Sequence, residues 1–118
     1  MFDKEILEKY DPQGMHKVYD RWPQIAKDAC ESDLETIDFK DIDHVVFSGM
    51  GGSGTIGDLF SSILSKTDIH TTVVKGYVLP KTVDENTLVV ITSVSGDTVE
   101  TLSTLESASK KNCNIICF

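Results

Sequence analysis

Short β-branched runs alternate along this chain with longer stretches of helical periodicity, and that alternation limits the fold more than any other feature. "HVVFS" at 44–48 reads as a buried strand. Ile56, Leu59, Phe60, Ile63 and Leu64 then follow the i, i+3, i+4, i+7, i+8 spacing of one helix face. "HTTVVK" at 70–75 and "LVVITS" at 88–93 read as further strands, joined by a loop over 76–87 that contains Pro80. Residues 97–111 predict a helix with Val99, Leu102, Leu105 and Ala108 facing inward. Asp97 and Glu100 are expected in its first turn and Lys110 and Lys111 in its last, which suits the helix dipole. "NIICF" at 114–118 is a fourth strand. The fold expected is α/β, a doubly wound parallel sheet of about four strands with helices on both faces, in flavodoxin-like order.

Ahead of this pattern, residues 3–10 and 14–30 read as helical. In the second stretch Met15, Val18, Tyr19, Trp22, Ile25, Ala26 and Ala29 share one face, and Pro23 should kink or end the helix. Residues 31–43 are polar and acidic and read as a connection. The expected division is therefore a helical segment, 1–43, and an α/β domain, 44–118. An apolar strand at the end of the chain leaves one flank of the sheet uncovered. The domain is thus expected to be incomplete at its C-terminus, and to be covered by a homodimer partner or by a missing C-terminal domain.

Composition excludes several functions. The net charge is −8, with a single arginine, Arg21, and no basic patch. That argues against nucleic acid and against anionic membrane surfaces as partners. No apolar run approaches the roughly 20 residues of a membrane-spanning helix, and the acidic start "MFDKEILEKYD" is unlike a secretory leader. A cytoplasmic protein is expected. Cys30, Cys113 and Cys117 have no C-x-x-C spacing and no histidine nearby in sequence, so no metal is expected.

The first strand runs into "GMGGSG" at 49–54. Gly49, Gly51 and Gly54 spell G-x-G-x-x-G, the spacing of a dinucleotide turn. Such a site also needs an acid at the end of the second strand, to hold the ribose hydroxyls. That strand ends here in Lys75-Gly76, and Asp68 precedes it, at the wrong end of the sheet. The dinucleotide reading lacks its confirming residue, and no cofactor is expected. What remains is a tight turn with the N–H groups of a following helix, expected after Gly54, aimed beyond the strand ends. That arrangement suits a phosphate.

A second loop, "TSVSGDTVET" at 92–101, follows the third strand and places Ser93, Ser95, Thr98 and Thr101 beside another helix N-terminus. One such residue would serve as a cap. Four hydroxyls, with a second hydroxyl-bearing loop after the neighbouring first strand, point instead to one pocket for a phosphate monoester.

The loops "GMGGSG" and "SVSGDTVET" together resemble the sugar isomerase (SIS) domain, and most nearly that of archaeal-type bifunctional phosphoglucose/phosphomannose isomerases. The resemblance runs from the helix around Trp22 to the last strand. It implies a sugar phosphate as ligand, held by Ser53, Ser93, Ser95 and Thr98, with Gly52 and Gly54 shaping the first loop. Asp97 departs from the asparagine common in the family, and is expected to point away and cap the helix. The family's catalytic glutamate, histidine and arginine lie beyond the residues present, so none can be assigned.

His44 and His70 begin strands, at the end of the sheet opposite the pocket, while His16 lies in the N-terminal segment and Glu100 is explained by its place in a first helical turn. None is assigned as the base. The expected function is phosphosugar binding within an isomerase that interconverts glucose or mannose 6-phosphate with fructose 6-phosphate, with the chain inactive alone. A non-catalytic sugar-phosphate sensor is the alternative.

Overall fold

The computed structural model describes residues 3–33 and 36–118, which fall into two compact units, Met1–Ile37 and Asp38–Phe118. Residues 34–35 of the expected connection lie outside the described residues.

The first unit contains α1 (Lys4–Tyr10), α2 (Met15–Asp20) and α3 (Trp22–Glu31). The single helix expected over 14–30 is divided at Arg21. Pro23 sits in the first turn of α3, where its missing N–H leaves no helical hydrogen bond unmade. The Asp11 carboxylate starts α2 by accepting from the Met15 and His16 backbone N–H groups, each at 2.8 Å, and it also meets His16 Nδ1 at 2.6 Å. These bonds hold the Asp11 pKa down at about 2. No residue of the three helices is buried among those described.

The second unit is a four-stranded parallel sheet, β1 (His44–Ser48), β2 (His70–Val74), β3 (Thr87–Ile91) and β4 (Asn114–Cys117), in the order β2-β1-β3-β4. The pairing is in step: His44 stands opposite His70 and Thr87, and Ser48 opposite Val74 and Ile91. Lys75, Thr92 and Ser93, expected to continue strands, lie just past their carboxyl ends.

Two helices cover the sheet from opposite sides. α5 (Val99–Ser109) lies over the face carrying Val46, Ser48, Val89 and Ile91, and Ser48 Oγ meets Thr104 Oγ1 of the helix at 2.6 Å. The core is here: Val46, Val74, Val89, Ile91 and Ala108, closed by Leu79 and Val83 from the loop after β2. That loop is tied down where Ser103 Oγ donates to the Tyr77 carbonyl at 3.1 Å and Lys111 Nζ to the Val83 carbonyl at 3.2 Å. The inward face of α5 meets expectation at Leu105 and Ala108, which pack in the core, but not in its first half. Val99 and Leu102 are 65% and 46% exposed, whereas Thr101, Thr104 and Ala108 are buried, so the helix is rotated to bring hydroxyls onto the sheet.

α4 (Gly51–Leu64) lies on the face carrying Phe47 and Val73. It begins four residues earlier than expected, so Gly51, Gly52 and Ser53 open its first turn instead of forming a loop before it. Its buried residues are Gly54 and Gly57, because the backbone itself approaches the sheet. Phe60 stacks on Phe47, with centroids 5.9 Å apart, but Ile56, Leu59, Phe60 and Ile63 all remain roughly half exposed.

Candidate functional site

Both hydroxyl loops leave the carboxyl ends of adjacent strands, β1 and β3, and their roots are bonded together. The Thr92 N–H donates to the Ser48 carbonyl at 2.9 Å. Gly49 permits this approach, since a Cβ there would lie 2.9 Å from the Thr92 carbonyl oxygen and 3.1 Å from Ser53 Cβ. Gly54 closes the turn from behind, where a Cβ would lie 2.6 Å from the Gly49 carbonyl oxygen. No other residue type fits either position without moving backbone.

The first N–H groups of a helix have no intrahelical acceptor. In α4 the Gly54 N–H is the first to find one, the Met50 carbonyl at 3.3 Å, and no side chain caps the helix. The same holds at α5, where Thr98 occupies the cap position without a side-chain cap bond. The expectation that Asp97 caps this helix is thus overturned: α5 starts at Val99, and Asp97 precedes its cap.

In place of a cap, the hydroxyls of the second loop gather on one another. Ser93 Oγ accepts from the Gly96 N–H at 3.1 Å, and lies 3.4 Å from Thr98 Oγ1. Ser95 Oγ lies 3.3 Å from the same Thr98 oxygen. The contacts around Thr98 are long for O–H···O bonds, whose usual separation is about 2.7–2.8 Å, so these hydroxyls are held near one another without being used up.

A hollow of about 590 Å³ opens between the two loops. Gly52 and Ser53 line it from the first, and Ser93, Ser95 and Thr98 from the second. Gly54, also singled out from the sequence, is buried behind the turn and does not line it. Sequence reasoning missed Met50, Ile56, Thr92 and Val94, which complete the walls. Val94 is 99% exposed between two serines; an apolar residue in a polar loop was the signal that could have found it. No lining residue carries a side-chain charge. Two helix N-termini and several hydroxyls make the hollow attractive to an anion without any cation.

Within the α/β unit, the titratable residues considered from sequence do not line it. His44 and His70 open their strands at the other end of the sheet. Glu100 is paired with Tyr77, whose phenol pKa it pushes up. Lys75, at the end of β2, has its Nζ bonded to the Asp58 carboxylate. Among the described residues, no cluster of three His, Cys, Asp or Glu could hold a metal. Burial pushes the Cys113 thiol pKa up.

A family model described as the SIS domain matches residues 38–118. The chain belongs to the SIS domain family. Among curated relatives, its SIS domain is similar to the bifunctional phosphoglucose/phosphomannose isomerases of Caldicellulosiruptor bescii and Aquifex aeolicus. The first is 38% identical over 106 residues, covering 89% of this chain and 29% of the relative. The second is 39% identical over 107 residues, covering 89% and 30%. The D-glucosamine-6-phosphate 4-epimerase of Sulfolobus acidocaldarius is 31% identical over 96 residues, covering 81% and 29%. The chain thus spans about three tenths of these relatives' length.

Of solved structures, a Salmonella typhimurium LT2 protein provisionally assigned as a phosphosugar isomerase has a similar fold. Its TM-score is 0.52 at 19% identity, over 80% of this chain and 28% of that one. The four-stranded order seen here is therefore that of a known α/β architecture. Among the described residues, no helix is long and apolar enough to cross a membrane.

Proposed function

We propose that the hollow between the two loops receives the phosphate group of a sugar phosphate. Gly52, Ser53, Ser93, Ser95 and Thr98 are its contacts, and Gly54 is the residue that lets the turn close. The observation that carries this reading is the convergence of two uncapped helix N-termini and their hydroxyls on one opening. Backbone N–H groups and hydroxyls donate to phosphate oxygens, and the helix dipoles favour the negative charge. The activities for which the relatives are named agree: isomerisation and 4-epimerisation are different reactions, yet each name carries a sugar phosphate.

The reaction we assign to this site is interconversion of glucose or mannose 6-phosphate with fructose 6-phosphate, carried out in the cytoplasm. Moving a proton between C1 and C2 requires a base within hydrogen-bond reach. The hollow's lining has none. This chain then supplies recognition, while the base and acid come from a homodimer partner or a further domain.

Calorimetric titration of the purified chain with fructose 6-phosphate, with NAD in parallel, tests the reading. Saturable binding of the sugar phosphate alone is expected. Binding of NAD alone would overturn it. Ordinary turnover by the chain, free of host isomerase, would refute the division between recognition and chemistry.

A further inference from the structure

Ser48 and Thr104 are 3% and 0% exposed, and their oxygens lie 2.6 Å apart. Each hydroxyl has one hydrogen. That of Thr104 goes to the Thr101 carbonyl at 2.8 Å, so Ser48 donates to Thr104. A chain of two hydrogen bonds therefore runs from the last residue of β1 to the first turn of α5. The Ser48 carbonyl meanwhile accepts from Thr92, where the second loop begins. Ser48 thus holds the entrance of that loop through its backbone and the exit through its side chain, and it directly precedes Gly49 of the first loop.

Stability alone does not call for this arrangement. Apolar side chains of the same shape would fill the space at nearly equal free energy, whereas dispersion contacts have no direction. A hydrogen bond between two buried groups fixes how far the helix stands along the strand. We infer that Ser48 and Thr104 are positioning residues of the anion hollow: their bond sets the separation of Ser53 from Ser93, Ser95 and Thr98. Neither residue lines the hollow itself. The inference rests on the phosphate reading above.

The test compares Thr104→Val, Thr104→Ser and Ser48→Ala by titration with inorganic phosphate and with fructose 6-phosphate. Amide hydrogen exchange at Thr92, Gly96 and Leu102 is followed in parallel. Thr104→Val should weaken binding roughly three- to tenfold, the scale of one buried hydrogen bond. It should also speed exchange at Gly96 and Thr92 relative to β2, while Thr104→Ser restores both. A folded Thr104→Val that keeps wild-type affinity and wild-type exchange would overturn the inference. Should valine prevent folding, Ser48→Ala is read the same way, because it leaves the Thr104 bond to Thr101 intact. If the wild-type chain binds neither ligand, the phosphate reading fails, and the exchange comparison still decides the positioning role.

Discussion

The His44 ring lies 4.6 Å from the His70 ring, centroid to centroid, across the first rung of the β1–β2 pairing. His44 is 5% exposed and its Nε2 is 3.0 Å from Thr72 Oγ1. Burial first, and then the facing His70, lower its pKa below 6.5; a bond to the Thr82 backbone and the charges of Asp84 and Asp43 oppose the shift. Because the folded value is depressed, the unfolded chain binds the proton first as pH falls. The stabilisation is therefore complete above about pH 6.5 and is lost below it. Thermal melts at pH 7.5, 6.5 and 5.5 should show a falling Tm that His44→Gln flattens. A Tm indifferent to pH across that range would contradict this account.

The hydroxyl of Ser95 is expected to donate to a charged phosphate oxygen. Ser95→Ala should weaken binding of fructose 6-phosphate by about 1.5–3 kcal/mol, the worth of a hydrogen bond to a charged group. An unchanged affinity in calorimetry would remove Ser95 from the site.

Gly52 and Gly54 flank Ser53 and should respond oppositely to alanine. A Cβ on Gly52 meets nothing within 4 Å, so Gly52→Ala should leave stability unchanged or slightly raised. On Gly54 it would lie 2.6 Å from the Gly49 carbonyl oxygen, so Gly54→Ala should cost about 1–3 kcal/mol. Urea unfolding of the two variants checks the contrast, and equal midpoints would refute it.

Thr101 is 3% exposed, and among the described residues its hydroxyl has no hydrogen-bond partner. Valine has the same shape without the unpaired group. Thr101→Val should therefore stabilise the chain by about 1 kcal/mol in urea unfolding. A loss of stability would show that the hydroxyl is satisfied in solution.

The strands were legible because β-branched runs bounded by turn residues have few other solutions. All four are where the runs lie, with Thr87 added to β3 and Lys75, Thr92, Ser93 and Phe118 left outside. The faces of the helices were less legible. Periodicity identified an apolar stripe on α4 and another on α5, yet the sheet is met by Gly54 and Gly57 on the first, and on the second Thr101 and Thr104 join Leu105 and Ala108 of the stripe in place of Val99 and Leu102. An apolar stripe says that a face can be buried, not which neighbour is available to bury it. The convergence of Ser53 with Ser93, Ser95 and Thr98 followed from the expected adjacency of β1 and β3, and the structure brings those four around one hollow. The walls made by Met50, Ile56 and Val94 carried no polar signature, and sequence reasoning passed over them.

By itself the sequence determined the alternating α/β pattern, the two glycine- and hydroxyl-rich turns and the membership in the SIS family. These are local matters of backbone freedom, side-chain branching and spacing. Tertiary structure alone decided that α4 begins at Gly51, that Asp97 caps nothing, and that Ser48 and Thr104 share a buried hydrogen bond. Each depends on how closely a helix backbone approaches the sheet. That distance is set by contacts between residues remote in the chain, such as Gly57 with Phe47, which no local pattern encodes.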